Sequence, residues 1–255
     1  MKRVKLKVAY EGTQYHGWQL QKNGETIESQ LNFHLSALLK EDIQVIGASR
    51  TDAGVHALSN IAIFDTSHRM PAEKISYALN QRLPEDIRIM ESVLVASDFH
   101  PRKCASKKTY EYHIYHAPFP NPLIRNTSFF TYVDLDLTEM KRALPYFIGT
   151  HDFKSFASIH SSAETTIRTI YQLCIDEDGP LIKIRITGNG FLYNMVRIIA
   201  GTLLEIGQGR LKLEDIPEII AACDRSKAGP TAPAKGLTLY SYEFVDGEDK
   251  PLLLL

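Results

Sequence analysis

The 255-residue sequence predicts an α+β protein with two sheet-bearing lobes. Three observations carry that expectation. Segments with apolar residues at every second position alternate with segments of helical period along the whole chain. The pattern restarts after a break near residues 98–108. The composition, 44% hydrophobic and 23% charged, is that of a globular chain able to bury a core without staples. The lobes are placed at 1–105 and 106–246, with a tail at 247–255. A cleft between two such lobes is a natural place for a site.

The elements follow in order. Val4, Leu6 and Val8 alternate with polar neighbours, as in a half-buried strand. Thr26 suits an N-cap ahead of Ile27, Leu31, Leu35 and Leu38, which recur at helical spacing. Residues 43–48 read as a strand leading into RTDAGVHA, and 59–65 as another. Pro71 fits the first turn of a helix whose apolar face is Ile75, Ala78 and Leu79. Residues 87–96 are a further strand. In the second half, 109–117 is an aromatic-rich strand, followed by a loop at Pro118, Pro120, Asn121 and Pro122. Residues 127–133 resume as strand. A helix near 138–148 turns Met140, Leu144 and Phe147 inward, and Pro145 kinks it or ends it early. Residues 165–175 and 181–187 pair around Asp178, Gly179 and Pro180. The apolar stretch 195–207 is helical, a last helix carries Ile216, Ile219 and Ile220, and 238–244 closes as a strand.

Charge and cysteine usage narrow the function classes. The net charge of −1 argues mildly against a nucleic-acid binder, so local clusters matter more than the sum. Lys2, Arg3, Lys5 and Lys7 form one cluster; Arg102, Lys103, Lys107 and Lys108 form another, followed at once by Tyr110, Tyr112 and Tyr115. Each reads as a solvated face or as a polyanion contact. Cys104, Cys174 and Cys223 are too few and too scattered for a zinc site or a disulfide framework, which suits a reducing compartment. No apolar run follows MKRVKLKVAY as a signal peptide requires, and none reaches membrane-spanning length. The terminal PLLLL reads as a frayed end or a small packing contact.

No P-loop, GxGxxG, GxSxG or HExxH is present, and GNG at 188–190 has the wrong spacing for a dinucleotide loop. The stretch that carries chemistry is SRTDAGVHA at 49–57. In extended chain Arg50 and Asp52 face the same side. A cation beside a carboxylate favours the ionised form. Gly54 permits a tight turn or a close approach. Such a carboxylate serves as nucleophile or base. On residue types alone, an ordinary surface ion pair at a turn is the favoured reading. Arg197 lies in an otherwise apolar helix, where a buried charge needs a partner, and Asp52 is a candidate for it. Trp18 reads as core and His56 as loop structure, while His151-Asp152 has the residue types of a catalytic dyad.

SRTDAGVHA resembles the GRTDAGVHA signature of the TruA family of tRNA pseudouridine synthases. Five further blocks resemble that family's in the same order: YEGTQYHGWQ (10–19), FHPRKCASKKTYEYHIY (99–115), GTHDFKSFAS (149–158), GNGFLYNMVRIIAGTLLEIG (188–207) and GPTAPAKGLTLYSYEF (229–244). The resemblance implies the pseudouridine synthase fold, with a central mixed or antiparallel sheet, helices on the outer faces and an active-site cleft between two similar lobes. It implies isomerisation of uridines 38, 39 and 40 in the anticodon stem and loop of tRNA. It implies no cofactor and no metal, tRNA as partner, a homodimer and a cytoplasmic location without membrane attachment. Asp52 matches the catalytic aspartate and Arg50 the arginine that helps extrude the target nucleotide, whose base must leave the stack. Tyr110 matches the tyrosine that packs on the flipped base, and Arg197 the arginine that pairs with the aspartate. Arg102, Lys108 and His56 complete the expected substrate-binding set.

The sequence departs from the family pattern at Ser49, Pro101, Lys103-Cys104 and Lys108. Lysine in place of arginine at 108 keeps the charge and loses the fork of donors, which suits a phosphate contact. Two other readings stand beside the enzyme: a non-catalytic protein that binds or folds tRNA on the same scaffold, and a carboxylate-dependent glycoside or nucleoside hydrolase. The hydrolase needs a second carboxylate, and neither Asp86 nor Asp98 lies in a comparable motif.

Overall fold

The computed structural model describes residues 1–158 and 164–245, so the tail expected at 247–255 lies outside the described residues. Its elements in chain order are β1 (Lys2–Tyr10), α1 (Ile27–Leu39), β2 (Ile46–Gly47), β3 (His56–Thr66), α2 (Ala72–Asn80) and β4 (Ile87–Val95). There follow β5 (Ser106–His116), β6 (Phe129–Thr131), α3 (Leu137–Ala143), β7 (Gly149–Asp152), β8 (Ile167–Asp178) and β9 (Leu181–Gly188). The chain closes with α4 (Met195–Gly207), α5 (Ile216–Ala222) and β10 (Leu237–Phe244). Among the described residues it divides into two compact units: 1–106 with 239–245, and 107–238.

The first unit has strand order β4-β1-β3-β10, with β2 beside β3. β1 is antiparallel to both neighbours, so Val4 lies opposite Phe64 on one side and Leu94 on the other. Val4, Leu6 and Val8 are buried, as are Ile27, Leu31 and Leu35 of α1 and Ile75 and Leu79 of α2. Thr26 caps α1 reciprocally with Ser29: each side chain accepts from the other's amide, at 3.1 and 3.0 Å. The strand expected at 43–48 shrinks to its last residues, Ile46–Gly47. The amides of Ile43 and Val45 donate instead to Ser36 Oγ and Asn32 Oδ1 on α1, at 2.9 and 2.8 Å, so this backbone is tied to the helix.

The second unit has strand order β5-β9-β8-β7, with β6 beside β5. β6 pairs in parallel and the others antiparallel, which makes the architecture a mixed α+β one. The strand expected at 127–133 covers only 129–131, because Thr127 and Ser128 both bond back to the Ile124 carbonyl in a turn. The helix expected at 138–148 ends at Ala143, and a tight 3₁₀ turn carries Leu144–Phe147 with Pro145 at its start. Proline has no amide to extend the α-helical ladder. α4 is buried on nearly all sides, as its unbroken apolar sequence requires.

Glu111 on β5 is 4% exposed and accepts from Arg185 at 2.8 Å and pairs with the His113 ring at 3.0 Å. Burial pushes its carboxyl up, but the bonds from His113 and Arg185 outweigh it and hold it below the usual range. The folded value being lower than the unfolded one, the stabilisation is complete above about pH 4.3 and is lost as pH falls through the folded value. Glu111→Gln is expected to cost about 1–3 kcal/mol at neutral pH. Urea titrations at stepped pH should show the gap to wild type narrowing as the solution is acidified; a gap constant with pH contradicts this.

Candidate active site

In the first unit, residues 48–55 form a loop ahead of β3 that is fastened along its length. Buried Asn60 accepts from the Ser49 amide at 3.2 Å and donates to the Ser49 carbonyl at 3.0 Å. Thr51 Oγ1 lies 2.7 Å from the Tyr10 hydroxyl, and the Thr51 carbonyl accepts from the Trp18 amide at 3.0 Å. The Gly54 amide donates to the Tyr15 carbonyl at 3.2 Å, and the Val55 amide to the Asp52 carbonyl at 3.1 Å. Gly54 has φ 76°, so this turn uses glycine's freedom. Gly17 has φ 86°, and a Cβ there would stand 2.6 Å from the Thr51 carbonyl oxygen. The segment 10–18 is therefore a bracket for the loop, which explains why the YEGTQYHGWQ and SRTDAGVHA blocks occur together. Between these fastenings Thr51 is buried, while Asp52 is half-buried and Arg50 exposed. These bonds fix the backbone that carries the Asp52 side chain.

His56 is buried, and its Nδ1 accepts from the Gly12 amide at 2.9 Å, which ties the bracket to the start of β3. Trp18 is fully buried against Gly47 and near Tyr10. Arg102 Nε donates to the Gly47 carbonyl at 2.7 Å. The surrounding protein and then the charge of Arg50 draw the Arg102 guanidinium down from its ordinary value. Two guanidiniums close enough to repel each other suit a shared anion such as a phosphate. Of the departures from the motif pattern, Cys104 packs against the cluster of Ile63, Val95 and Phe99, while Pro101 offers its carbonyl to the Tyr242 hydroxyl at 2.9 Å, a bond that any residue there could accept.

In the second unit, Tyr110 is buried on β5 opposite Ile186, with Phe191 edge-on at 5.3 Å. Lys108, two residues earlier, is half-buried opposite Gly188. Arg197 of α4, expected as a buried charge, is half-buried. Its Nε donates to the Ala232 carbonyl at 2.8 Å and its Nη1 to Asn194 Oδ1 at 2.7 Å. The Ala232 amide returns a bond to the Arg197 carbonyl at 3.1 Å. The segment 229–232 reaches α4 because Gly201 leaves room for it: a Cβ there would stand 1.8 Å from the Pro230 carbonyl oxygen. His151 and Asp152 do not form a dyad in the hydrogen bonds they make here. The His151 ring bonds the Ile148 carbonyl at 3.0 Å, and Asp152 Oδ1 accepts from the Lys154 amide at 3.0 Å. Among the described residues, no three His, Cys, Asp or Glu side chains converge as a metal site needs, and no helix is long and apolar enough to cross a membrane.

The first unit thus presents Asp52, Arg50 and Arg102, and the second Tyr110, Lys108 and Arg197. The family model described as tRNA pseudouridine synthase matches residues 7–102 and 143–245. Asp52, Arg50, Arg102 and Arg197 fall inside the matched stretches, and Lys108 and Tyr110 between them. The chain is 48% identical over 239 residues to tRNA pseudouridine synthase A of Acetivibrio thermocellus, covering 94% of this chain and 98% of that one. It is 47% identical over 240 residues to tRNA pseudouridine synthase A 2 of Clostridium tetani, covering 93% and 97%. A solved Cbf5-Nop10-Gar1 complex is similar at a TM-score of 0.31 and 14% identity, over 79% of this chain and 54% of that one, too remote to add weight. The chain belongs to the tRNA pseudouridine synthase family of isomerases, in its TruA branch.

Proposed function

We propose that this chain converts uridine to pseudouridine at positions 38, 39 and 40 of the anticodon arm of tRNA, with Asp52 as the catalytic carboxylate and no cofactor. The observation that carries this reading is the loop 48–55, whose fastenings fix the backbone that bears the half-buried Asp52. A positioned group of this kind is what a cofactor-free reaction requires. The uracil is released at N1, turned and rejoined to the sugar through C5, whose proton leaves to solvent. Asp52 attacks the anomeric carbon, adds to the base or takes a sugar proton; each route uses the ionised form. Arg50 assists extrusion of the nucleotide, Tyr110 packs on its base, and Arg197 is the cation that pairs with the carboxylate. Arg102 and Lys108 contact phosphates, and His56 supports binding by holding the loop. Recognition beyond the target base rests on RNA shape and backbone. The working form is a cytoplasmic homodimer, for which sedimentation at twice the chain mass is the check.

Carbodiimide treatment of tRNA transcripts incubated with the enzyme, followed by primer extension, tests the assignment. New stops one nucleotide 3′ of positions 38, 39 or 40 and nowhere else support it; stops that report other positions, or none, overturn it. Arg197→Ala is expected to lower stability by about 1–3 kcal/mol, since it leaves the Ala232 carbonyl and Asn194 Oδ1 without their donor. Activity should fall with it. A melting curve superimposable on that of wild type contradicts a structural share for Arg197.

A further inference from the structure

The left-handed backbone of Asn194 stands directly ahead of α4, at φ 62° and ψ 5°. Outside glycine such a conformation carries strain, and it persists where the surroundings over-determine it. Asn194 is the cap residue of α4, yet its side chain makes no capping bond to the helix amides. Its Oδ1 accepts from Arg197 Nη1 at 2.7 Å, and its Nδ2 donates to Ser158 Oγ at 2.7 Å. Ser158 is held in turn by its own amide, which donates to the Tyr193 carbonyl at 3.1 Å. With the bond from Arg197 Nε to the Ala232 carbonyl, the guanidinium is gripped at two nitrogens, which fixes its plane and its roll.

We infer that Asn194 is a positioning residue for the isomerisation, acting through Arg197; this rests on the reading of Arg197 given above. Amide and guanidinium divide the work. A neutral acceptor orients the guanidinium and leaves its charge intact, whereas a carboxylate at 194 would neutralise it. The left-handed backbone turns the side chain away from the helix amides and toward Arg197. Serine 158 supports the amide from the far side, so its orientation is also set.

Asn194→Gly tests this, because glycine accepts the left-handed backbone without strain and removes both side-chain bonds. With tRNA and full-length enzyme, the single-turnover rate of pseudouridine formation is expected to fall tenfold or more, while the dissociation constant for tRNA stays within twofold. Arg197→Ala and the double variant complete a cycle in which the double variant is no slower than Arg197→Ala alone. Asn194→Asp should also be slow and shift the pH profile of the rate. An unchanged rate in folded Asn194→Gly, or a loss confined to tRNA affinity, overturns the inference. A cycle in which the two losses multiply overturns it as well. Wild type that makes no pseudouridine instead overturns the functional reading itself, and the inference with it.

Discussion

Asp52→Ala is expected to lose pseudouridine formation by on the order of 10⁴-fold or more, while keeping the wild-type melting temperature and tRNA affinity. The separation of the two effects follows from the geometry. The Asp52 carbonyl accepts from the Val55 amide at 3.1 Å, a backbone bond that alanine keeps. The side chains of Tyr10, Thr51, Asn60 and, at its exit, His56 fasten the loop. Alanine at 52 leaves all of these in place. The carboxylate is half-buried, so its removal opens no large cavity. Circular dichroism and filter binding on the variant check the two conserved properties. A variant that is folded but still active removes Asp52 from the chemistry. A variant that unfolds shows the carboxylate to be structural.

Gly201→Ala is expected to destabilise the protein by about 3 kcal/mol or more, from one added methyl group. The group it would meet, the Pro230 carbonyl at 1.8 Å, is backbone, with the Ala232 amide at 3.4 Å beyond it. Neither can swing aside as a flexible side chain would. α4 is buried on nearly every face and has no room to retreat. The segment 230–232 must therefore move, and with it the Ala232 carbonyl that holds Arg197 Nε. Scanning calorimetry should show a lower transition, by roughly 6–12 °C for a chain of this size. Activity measured well below that transition should also be reduced. Full stability in this variant contradicts the close crossing of α4 by the 229–232 segment.

How much of this was legible beforehand depended on the range of the interactions. β1, α1, β4 and α4 were readable because their apolar spacing is a local property. The early stop of the helix at Ala143 was readable from Pro145. The strand expected at 43–48 failed because its amides go to Asn32 and Ser36, side chains that a strand pattern does not register. At the candidate site, the motif resemblance drew attention to Asp52, Arg50, Tyr110 and Arg197. It did not reveal what holds them. Asn60 stands eleven positions from Ser49, and Ala232 thirty-five from Arg197. Asn194 resembles an ordinary helix cap in sequence, and only its left-handed backbone and its two bonds distinguish it. Gly17 and Gly201 likewise look like any glycine until the backbone they admit is seen.

The most direct test of the central claim is tritium release from tRNA labelled at carbon five of its uracils, measured with wild type and with Asp52→Ala. Release by wild type alone is the expected result, and it establishes the isomerisation and the role of Asp52 together. Clear tRNA binding without release from any tRNA would contradict the account, and would leave a protein that binds or folds tRNA on this scaffold.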